Sequence, residues 1–131
     1  MADVVIDLFG QSVRVFSTHL DYRSDPSVRR TQVNEILRYI DAAEMPVILV
    51  GDLNAPPDAP ELQPLFEKLT DAWRAGHGDG LSYPSDRPVK RIDYVLMRGP
   101  WSIRNAQVGT STVSDHRPVV ADLVFRKKPG R

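Results

Sequence analysis

Polar residues able to take part in phosphoryl chemistry follow an apolar run near the middle of the chain. Residues 47–50 are four consecutive apolar residues, three of them β-branched, and the sequence GDLN follows directly. Asp52 and Asn54 are two residues apart, so in an extended chain their side chains project from the same side. A carboxylate and an amide placed together can hold a metal-bound water beside a phosphoryl oxygen. The same pair also suits an Asx-rich turn that caps a core strand, so alone it leaves both interpretations open.

Further acid–base residues stand near the ends of other predicted strands. His19 closes the alternating run VRVFSTHL, Asp93 lies in RIDYVLM, and Asp115 and His116 precede the last apolar run. A lone histidine at a strand end is more often a surface residue, whereas a carboxylate among apolar residues needs a partner. Several strands that deliver polar groups to one rim commonly build an active site. The set offers carboxylates for a hard divalent cation and a histidine for acid–base work.

Two other classes of hydrolase are disfavoured by the motifs that the sequence lacks. No GxSxG turn carries a serine nucleophile, which argues against acyl transfer. No HExxH segment is present, which argues against a zinc peptidase.

The first half of the chain predicts a hairpin, a helix and a buried strand. The strand-like runs at residues 4–9 and 13–20 surround Gly10-Gln11, which suggests a tight hairpin. A helix follows, with Asp25 as its N-cap and Pro26 at its first position, where the missing N–H has no intrahelical role. Its apolar stripe recurs at helical spacing and comprises Val33, Ile36, Leu37 and Ile40.

The second half predicts a short helix near residues 61–69 and three further strands. The Gly-rich loop at residues 76–80 lacks the spacing and the lysine of a phosphate-binding P-loop. The basic tail, residues 126–131, is expected to fray. Because no repeat or linker interrupts the pattern, residues 1–131 are expected to form a single α/β domain with a mixed sheet. The three strands are residues 91–97, Trp101–Val108 and Val119–Phe125.

The composition is that of an ordinary globular protein. The 131 residues are 41% hydrophobic and 26% charged, which allows a real core and argues against disorder. Seventeen Lys and Arg balance seventeen Asp and Glu, so no global field favours nucleic acid or an anionic membrane. The absence of cysteine excludes disulfides and thiolate metal sites, and fits a reducing, cytoplasmic location. No apolar run approaches the ~20 residues of a membrane span.

Four segments of the chain resemble the endonuclease/exonuclease/phosphatase superfamily, to which DNase I, exonuclease III and neutral sphingomyelinase belong. They are THL at 18–20, GDLNAPPD at 51–58, RIDYVL at 91–96 and SDHRPV at 114–119. Each block is weak evidence alone, but all four occur in the family's order across nearly the whole chain. The resemblance implies a divalent-metal-dependent phosphoester hydrolase, a phosphodiesterase or nuclease acting on nucleic acid or a small phosphodiester.

The resemblance also implies a role for each matching residue. Asp52 would orient or deprotonate the attacking water, and Asn54 would hold that water and the phosphate. Asp93 would pair with His116 and fix its tautomer, while His19 would donate a hydrogen bond or proton near the leaving oxygen. The expected metal is Mg²⁺ or Mn²⁺, and its expected ligands are Asp52, Asn54 and Asp115.

One departure from the family concerns length. The family fold is a four-layer α/β/β/α sandwich about twice as long, and the matching blocks belong to its second half. The absent half carries, in the family, a glutamate that is a principal metal ligand. We therefore expect half a sandwich, with one mixed sheet, helices on one face, and the other face completed by a second chain in a homodimer. The alternative is a catalytically impaired half-domain that acts only as a binding or assembly module.

Overall fold

The structure is a computed structural model that describes residues 1–126, and it has the predicted mixed α/β fold. The frayed tail was predicted at residues 126–131, and all of it except Arg126 lies outside the described residues. Short 3-10 turns occur at Pro60–Leu62 and Ala72–Ala75. The elements in order are β1 (Ala2–Leu8), β2 (Gln11–His19), α1 (Ser27–Ala42), β3 (Val47–Asp52), α2 (Gln63–Lys68), β4 (Thr70–Asp71), β5 (Asp93–Arg98), β6 (Trp101–Val108) and β7 (Val119–Phe125).

Five strands form one mixed sheet in the order β1-β2-β3-β5-β4. The strands β2 and β3 are parallel and α1 connects them, whereas the other neighbours are antiparallel. The remaining strands, β6 and β7, pair with each other in a separate two-stranded sheet. The strand pattern predicted one mixed sheet, whereas β6 does not pair with β5. Instead a tight turn at Gly99, whose φ is 126°, separates β6 from β5, and the Trp101 N–H donates to the Gly99 carbonyl at 2.8 Å.

The predicted hairpin is present, with its turn one residue earlier than Gly10-Gln11. Leu8 pairs with Gln11, which leaves Phe9 and Gly10 as the two loop residues. Both have positive φ, 54° and 84°, the combination that a two-residue type I′ turn needs. The Asp7 carboxylate accepts the Gly10 N–H at 3.0 Å and supports this turn.

Helices cover one face of the five-stranded sheet and form the main core. The helix α1 begins at Ser27, so its N-cap is Pro26 and not the predicted Asp25, and no side chain caps it. The Asp25 carboxylate accepts the Ser27 N–H at 3.0 Å from one residue farther out. The stripe of Val33, Ile36 and Ile40 is buried in the same cluster as core residues of the sheet and α2. No helix among residues 1–126 is long and apolar enough to cross a membrane.

The second face of this sheet is apolar and only partly covered. Val13 and Met97 are fully buried on it, whereas Val4 and Ile6 of the edge strand are 50% and 37% exposed. The strand registers align further apolar side chains on this face, each of them only partly exposed. We call the following set the open face: Val4, Ile6, Val15, Ile48, Val50 and Val95.

A buried ion pair ties three segments together beneath the helical layer. Two nitrogens of Arg29 donate to one carboxylate oxygen of Glu61 at 2.9 and 2.7 Å, and both side chains are over nine-tenths buried. The third guanidinium nitrogen donates to the carbonyls of Asp21 and Arg23. Arg29 therefore links α1, the loop after β2 and the 3-10 turn that follows the GDLNAPPD segment.

Glu61→Gln is expected to destabilise the fold by roughly 3–5 kcal/mol, because it leaves the buried Arg29 charge uncompensated. Urea unfolding at pH 7 measures the change. The matched control is Asp41→Asn, which breaks the exposed 3.1 Å pair with Lys68 and should cost at most about 1 kcal/mol. Equal effects of the two substitutions would contradict this account of the buried pair.

The same pair predicts a pH dependence of stability. Burial acts to raise the pKa of Glu61, but its own backbone N–H and Arg29 outweigh burial and hold the pKa below its ordinary 4.5. The stabilisation is therefore complete above pH 4.5 and is lost as the pH falls through the lower pKa of the folded state. The deficit of Glu61→Gln relative to wild type should shrink over that acidic range.

Candidate active site

Three neighbouring strands place His19, Asp52 and Asp93 in one row. His19 of β2 lies opposite Asp52 at the end of β3, and Asp52 lies opposite Asp93 at the start of β5. Side chains directly opposite one another in a sheet project from the same face. The His19 Nε2 atom is 3.4 Å from Asp52 Oδ2, although the histidine is itself largely exposed.

His116, in the loop before β7, bridges the two carboxylates of this row. Its Nδ1 atom is 2.8 Å from Asp93 Oδ2, and its Nε2 atom is 3.7 Å from Asp52 Oδ2. The contact that the family resemblance implied between Asp93 and His116 is thus present. The second ring nitrogen faces Asp52 and the space beside it.

The loop that carries His116 is tied to residues 82–85. The Ser85 N–H donates to the Asp115 carbonyl at 2.7 Å, and the Ser85 hydroxyl donates to the Ser114 carbonyl at 2.6 Å. The Arg117 N–H donates to the Ser82 carbonyl at 2.8 Å. These contacts lie on both sides of His116 along the chain and fix the position of its ring.

Gly51 and Asn54 determine the backbone geometry at the end of β3. A Cβ atom at Gly51 would lie 1.9 Å from the Thr18 carbonyl oxygen, so only glycine allows this approach of β2. Asn54 has a φ of 49°, its N–H donates to Asp52 Oδ1 at 2.8 Å, and its side-chain amide donates to the Leu20 carbonyl at 2.8 Å. The Asx turn that the sequence left open is therefore present, and it orients both polar side chains at the strand end.

These residues surround an open cleft of about 650 Å³. Asp115 lines this cleft and is exposed. Within residues 1–126, one group of carboxylate and histidine ligand atoms lies within 4.8 Å of one another, and it comprises Asp52, Asp93 and His116. Two carboxylates this close suit a divalent cation, since oxygen ligands are those that Mg²⁺ and Mn²⁺ prefer. Of the ligands expected from the resemblance, Asp52 belongs to this group, while Asn54 and Asp115 line the same cleft.

The charges in the cleft shift two pKa values upward. Burial raises the pKa of Asp52, and the charge of Asp93 adds to the rise, although the Asn54 N–H and both histidines oppose it. Burial acts to lower the pKa of His116, but the hydrogen bond and charge of Asp93, with smaller contributions from Asp52 and Asp115, outweigh it. His116 therefore holds its proton to a higher pH than a free imidazole.

Three residues beside the cleft were not singled out from the sequence. Ser82 is fully buried and donates to Asp93 Oδ2 at 2.6 Å, the same carboxylate oxygen that His116 Nδ1 contacts. The Tyr83 ring packs on the His116 ring at 4.8 Å between centroids. Lys90 pairs with Tyr83 through an isolated β-bridge. The sequence of this segment has no helix or strand periodicity, and a serine and a tyrosine before Pro84 do not by themselves indicate a functional site.

Comparison with known proteins identifies the fold. The sequence model described as the Endonuclease/Exonuclease/phosphatase family matches residues 2–116. No curated protein sequence matches the chain. Similar solved structures include an endonuclease/exonuclease/phosphatase family protein of Bacteroides thetaiotaomicron, with a TM-score of 0.81 at 19% identity over 91% of this chain and 52% of that one.

Two other similar structures have more specific descriptions. A mannosyl-6-phosphatase of Bacteroides thetaiotaomicron VPI-5482 aligns with a TM-score of 0.75 at 20% identity, over 89% of this chain and 53% of that one. D. rerio TDP2, complexed with single-strand DNA product, aligns with a TM-score of 0.75 at 19% identity, over 94% of this chain and 60% of that one. The chain spans about half the length of these solved structures, and the likeness to them is one of fold.

Asp93→Asn is expected to lower the pKa of His116, because it removes the charge and the strong acceptor that hold the imidazolium. Titration of the histidine ring protons by NMR measures the change, with His116→Ala used for assignment. The matched control is Asp86→Asn, an exposed carboxylate in the connecting segment that does not line the cleft. An unchanged His116 titration in Asp93→Asn would refute the assigned coupling.

Proposed function

This chain belongs to the endonuclease/exonuclease/phosphatase family, and we propose that it is a divalent-metal-dependent hydrolase of phosphoester bonds, with a phosphodiester as its favoured substrate. The observation that carries the proposal is the convergence of Asp52, Asp93 and His116 at one cleft. The family match supports phosphoester hydrolysis in general. The phosphodiester, the metal and the residue roles are our proposal.

In the proposed reaction, a water attacks phosphorus in line with the ester oxygen that leaves. Asp52 accepts the proton of this water, and its raised pKa suits that task. Asn54, held by its two hydrogen bonds, positions the water and a phosphoryl oxygen. His116, kept protonated by Asp93, faces the charge that develops on the phosphoryl oxygens. His19, exposed at the mouth of the cleft, donates a proton or hydrogen bond to the leaving oxygen.

The carboxylates of Asp52 and Asp115 and the amide oxygen of Asn54 would hold Mg²⁺ or Mn²⁺. When bound, such an ion neutralises phosphate charge and lowers the pKa of a coordinated water.

The substrate is proposed to be nucleic acid or a small phosphodiester. One similar structure is described with single-strand DNA product and another as a sugar phosphatase, and each description belongs to that protein. One description names a phosphatase and the other a DNA product, whose backbone is a phosphodiester, and both suit the proposed class of bond. We also propose a cytoplasmic location, on the ground that the chain contains no cysteine.

The open face supports a proposal about assembly. It lies on the same side of the sheet as Asp52 and Asp93, and its apolar side chains at the β1 edge are exposed. We propose that two copies bury this face against each other in a symmetric homodimer. The clefts of both copies would then lie beside the shared interface. Apolar burial stabilises such an interface by about 25 cal/mol per Å².

The second candidate function is a half-domain that binds or assembles without catalysis. The observation in its favour is that the chain aligns with about half of the similar structures. Loss of one metal ligand can abolish catalysis while the fold persists. Metal binding and turnover separate the two candidates.

Asp52→Ala and His116→Ala are each expected to lower phosphodiesterase activity by about 100-fold or more, because each removes a group that acts on the transition state. Turnover of bis-p-nitrophenyl phosphate and an oligonucleotide panel, with Mg²⁺ or Mn²⁺, measures the loss. Asp58→Ala is the matched control, since this exposed carboxylate of the same motif does not line the cleft. Equal activity in wild type and all three variants would defeat the proposal.

Calorimetric titration with Mn²⁺ should detect a site in the wild-type protein that weakens in Asp115→Ala and in Asp52→Ala, because each substitution removes a carboxylate ligand. The control is Asp58→Ala, which should bind Mn²⁺ as the wild type does. Absence of binding up to millimolar Mn²⁺ would favour the non-catalytic half-domain.

Val4→Glu is expected to dissociate the proposed homodimer, because a charge on the open face would be buried without a partner. Light scattering at micromolar protein concentration measures the assembly. Val5→Glu is the matched control, since Val5 lies on the other face of the same strand and is exposed to a similar degree, 56% against 50% for Val4. A well-folded monomeric wild type would overturn the assembly proposal.

A further inference from the structure

A second cavity, of about 530 Å³, adjoins the catalytic cleft. Its lining shares Asn54, Lys90 and Ile92 with the cleft, so the two spaces meet along these residues. The volume lies within the ~300–1,000 Å³ of typical small-molecule sites. A substrate whose phosphate occupies the cleft therefore has room here for one group attached to phosphorus.

The walls of the second cavity are mainly apolar and preformed. Trp73, Leu81 and Val89 line it together with the prolines that follow the GDLN segment. The Trp73 indole N–H donates to the Gly78 carbonyl at 3.0 Å. A Cβ atom at Gly76 or Gly80 would lie 2.7 Å from the indole ring, so these glycines let the loop close on it. The wall is thus held in place without a ligand.

The charges around the second cavity distinguish its interior from its border with the cleft. Arg91 is paired with Asp71 at 2.5 Å, which neutralises its charge. Asp79 and Lys90 form no ion pair among residues 1–126. Lys90 stands at the border, with its ammonium 5.9 Å from the centroid of Tyr83. An anion is therefore favoured at the border, and an uncharged group is favoured beyond it.

We infer that the second cavity binds an uncharged, ring-sized organic group of the substrate, such as a nucleoside or an aryl group, while Lys90 contacts the phosphate at the border. This inference rests on the proposed phosphoester hydrolysis. Polyphosphorylated sugars are disfavoured, because a second anionic group would lie among apolar side chains near the carboxylate of Asp79.

Three diesters with the same p-nitrophenolate leaving group test the inference, with a thymidine 5′, phenyl or methyl group as the second ester. The wild type should prefer thymidine or phenyl over methyl by about 10-fold or more in kcat/KM, and the two ring-bearing esters distinguish a nucleoside from an aryl site. Val89→Ser should reduce this preference roughly 3-fold or more, because it removes apolar contact from an exposed wall residue. Val113→Ser is the matched control, since Val113 is exposed and lines neither cavity.

A binding measurement makes the result independent of turnover. The chain has two tryptophans, so in Trp101→Phe the only fluorescent indole is Trp73. With a chelator present, 5-iodo-2′-deoxyuridine 5′-monophosphate should quench Trp73 by contact, whereas deoxyribose 5-phosphate should not. Adding Val89→Ser should weaken the quenching, and Val113→Ser should leave it unchanged.

The outcomes separate the inference from the proposed function. Equal kcat/KM for the three esters, with no quenching, would overturn the inference and leave hydrolysis intact. Failure to hydrolyse any of the esters would overturn the proposed function, and the fluorescence titration would then decide whether the cavity binds the ring. Quenching together with a ring preference supports both.

Discussion

A slip of β3 by one residue against its neighbours would turn Asp52 toward the helical core and bring Leu49 to the opposite face. The observed register prevents this, because Val47 and Leu49 are fully buried under the helices while Asp52 stands opposite Asp93. Gly51 adds a second constraint, since a side chain there would collide with the Thr18 carbonyl. Core packing thus aligns the polar residues of three strands without any contact among their side chains being required.

This alignment places two carboxylates side by side, and neighbouring segments supply hydrogen-bond donors to them. Burial raises the pKa of Asp52, and the charge of the adjacent Asp93 carboxylate adds to the rise. His116 lies between them, and Ser82 donates a further hydrogen bond to Asp93. Both partners come from connecting segments tied to each other by Ser85. The loops therefore supply the donors that the strand ends lack, and the cleft retains a negative character suited to a cation.

The sequence predicted the parts of this site that depend on strand pattern and on short motifs. Alternation and apolar runs identified the strands that carry His19, Asp52 and Asp93, and the ordered blocks paired Asp93 with His116. Ser82 and Lys90 could not be found in that way, because they lie in a segment without periodicity. Their contacts, the Ser82–Asp93 hydrogen bond and the Tyr83–Lys90 bridge, form only in the folded chain. The separate pairing of β6 with β7 escaped prediction for a similar reason. Strand patterns indicate that a strand exists, whereas its partner depends on the turn at Gly99.

The open face lies on the same side of the sheet as Asp52 and Asp93, so a layer that covers this face would also border the cleft. Val50 precedes Asp52 by two residues on β3, and Val95 follows Asp93 by two on β5, so these apolar and acidic side chains are neighbours on the same face of the sheet. A layer packed on Val50 and Val95 would reduce water access to the floor of the cleft. Lower water access strengthens every charge interaction there, including the Asp93–His116 pair and the attraction of the carboxylates for a cation. In the proposed homodimer, covering the open face would therefore also strengthen the charge interactions of the cleft.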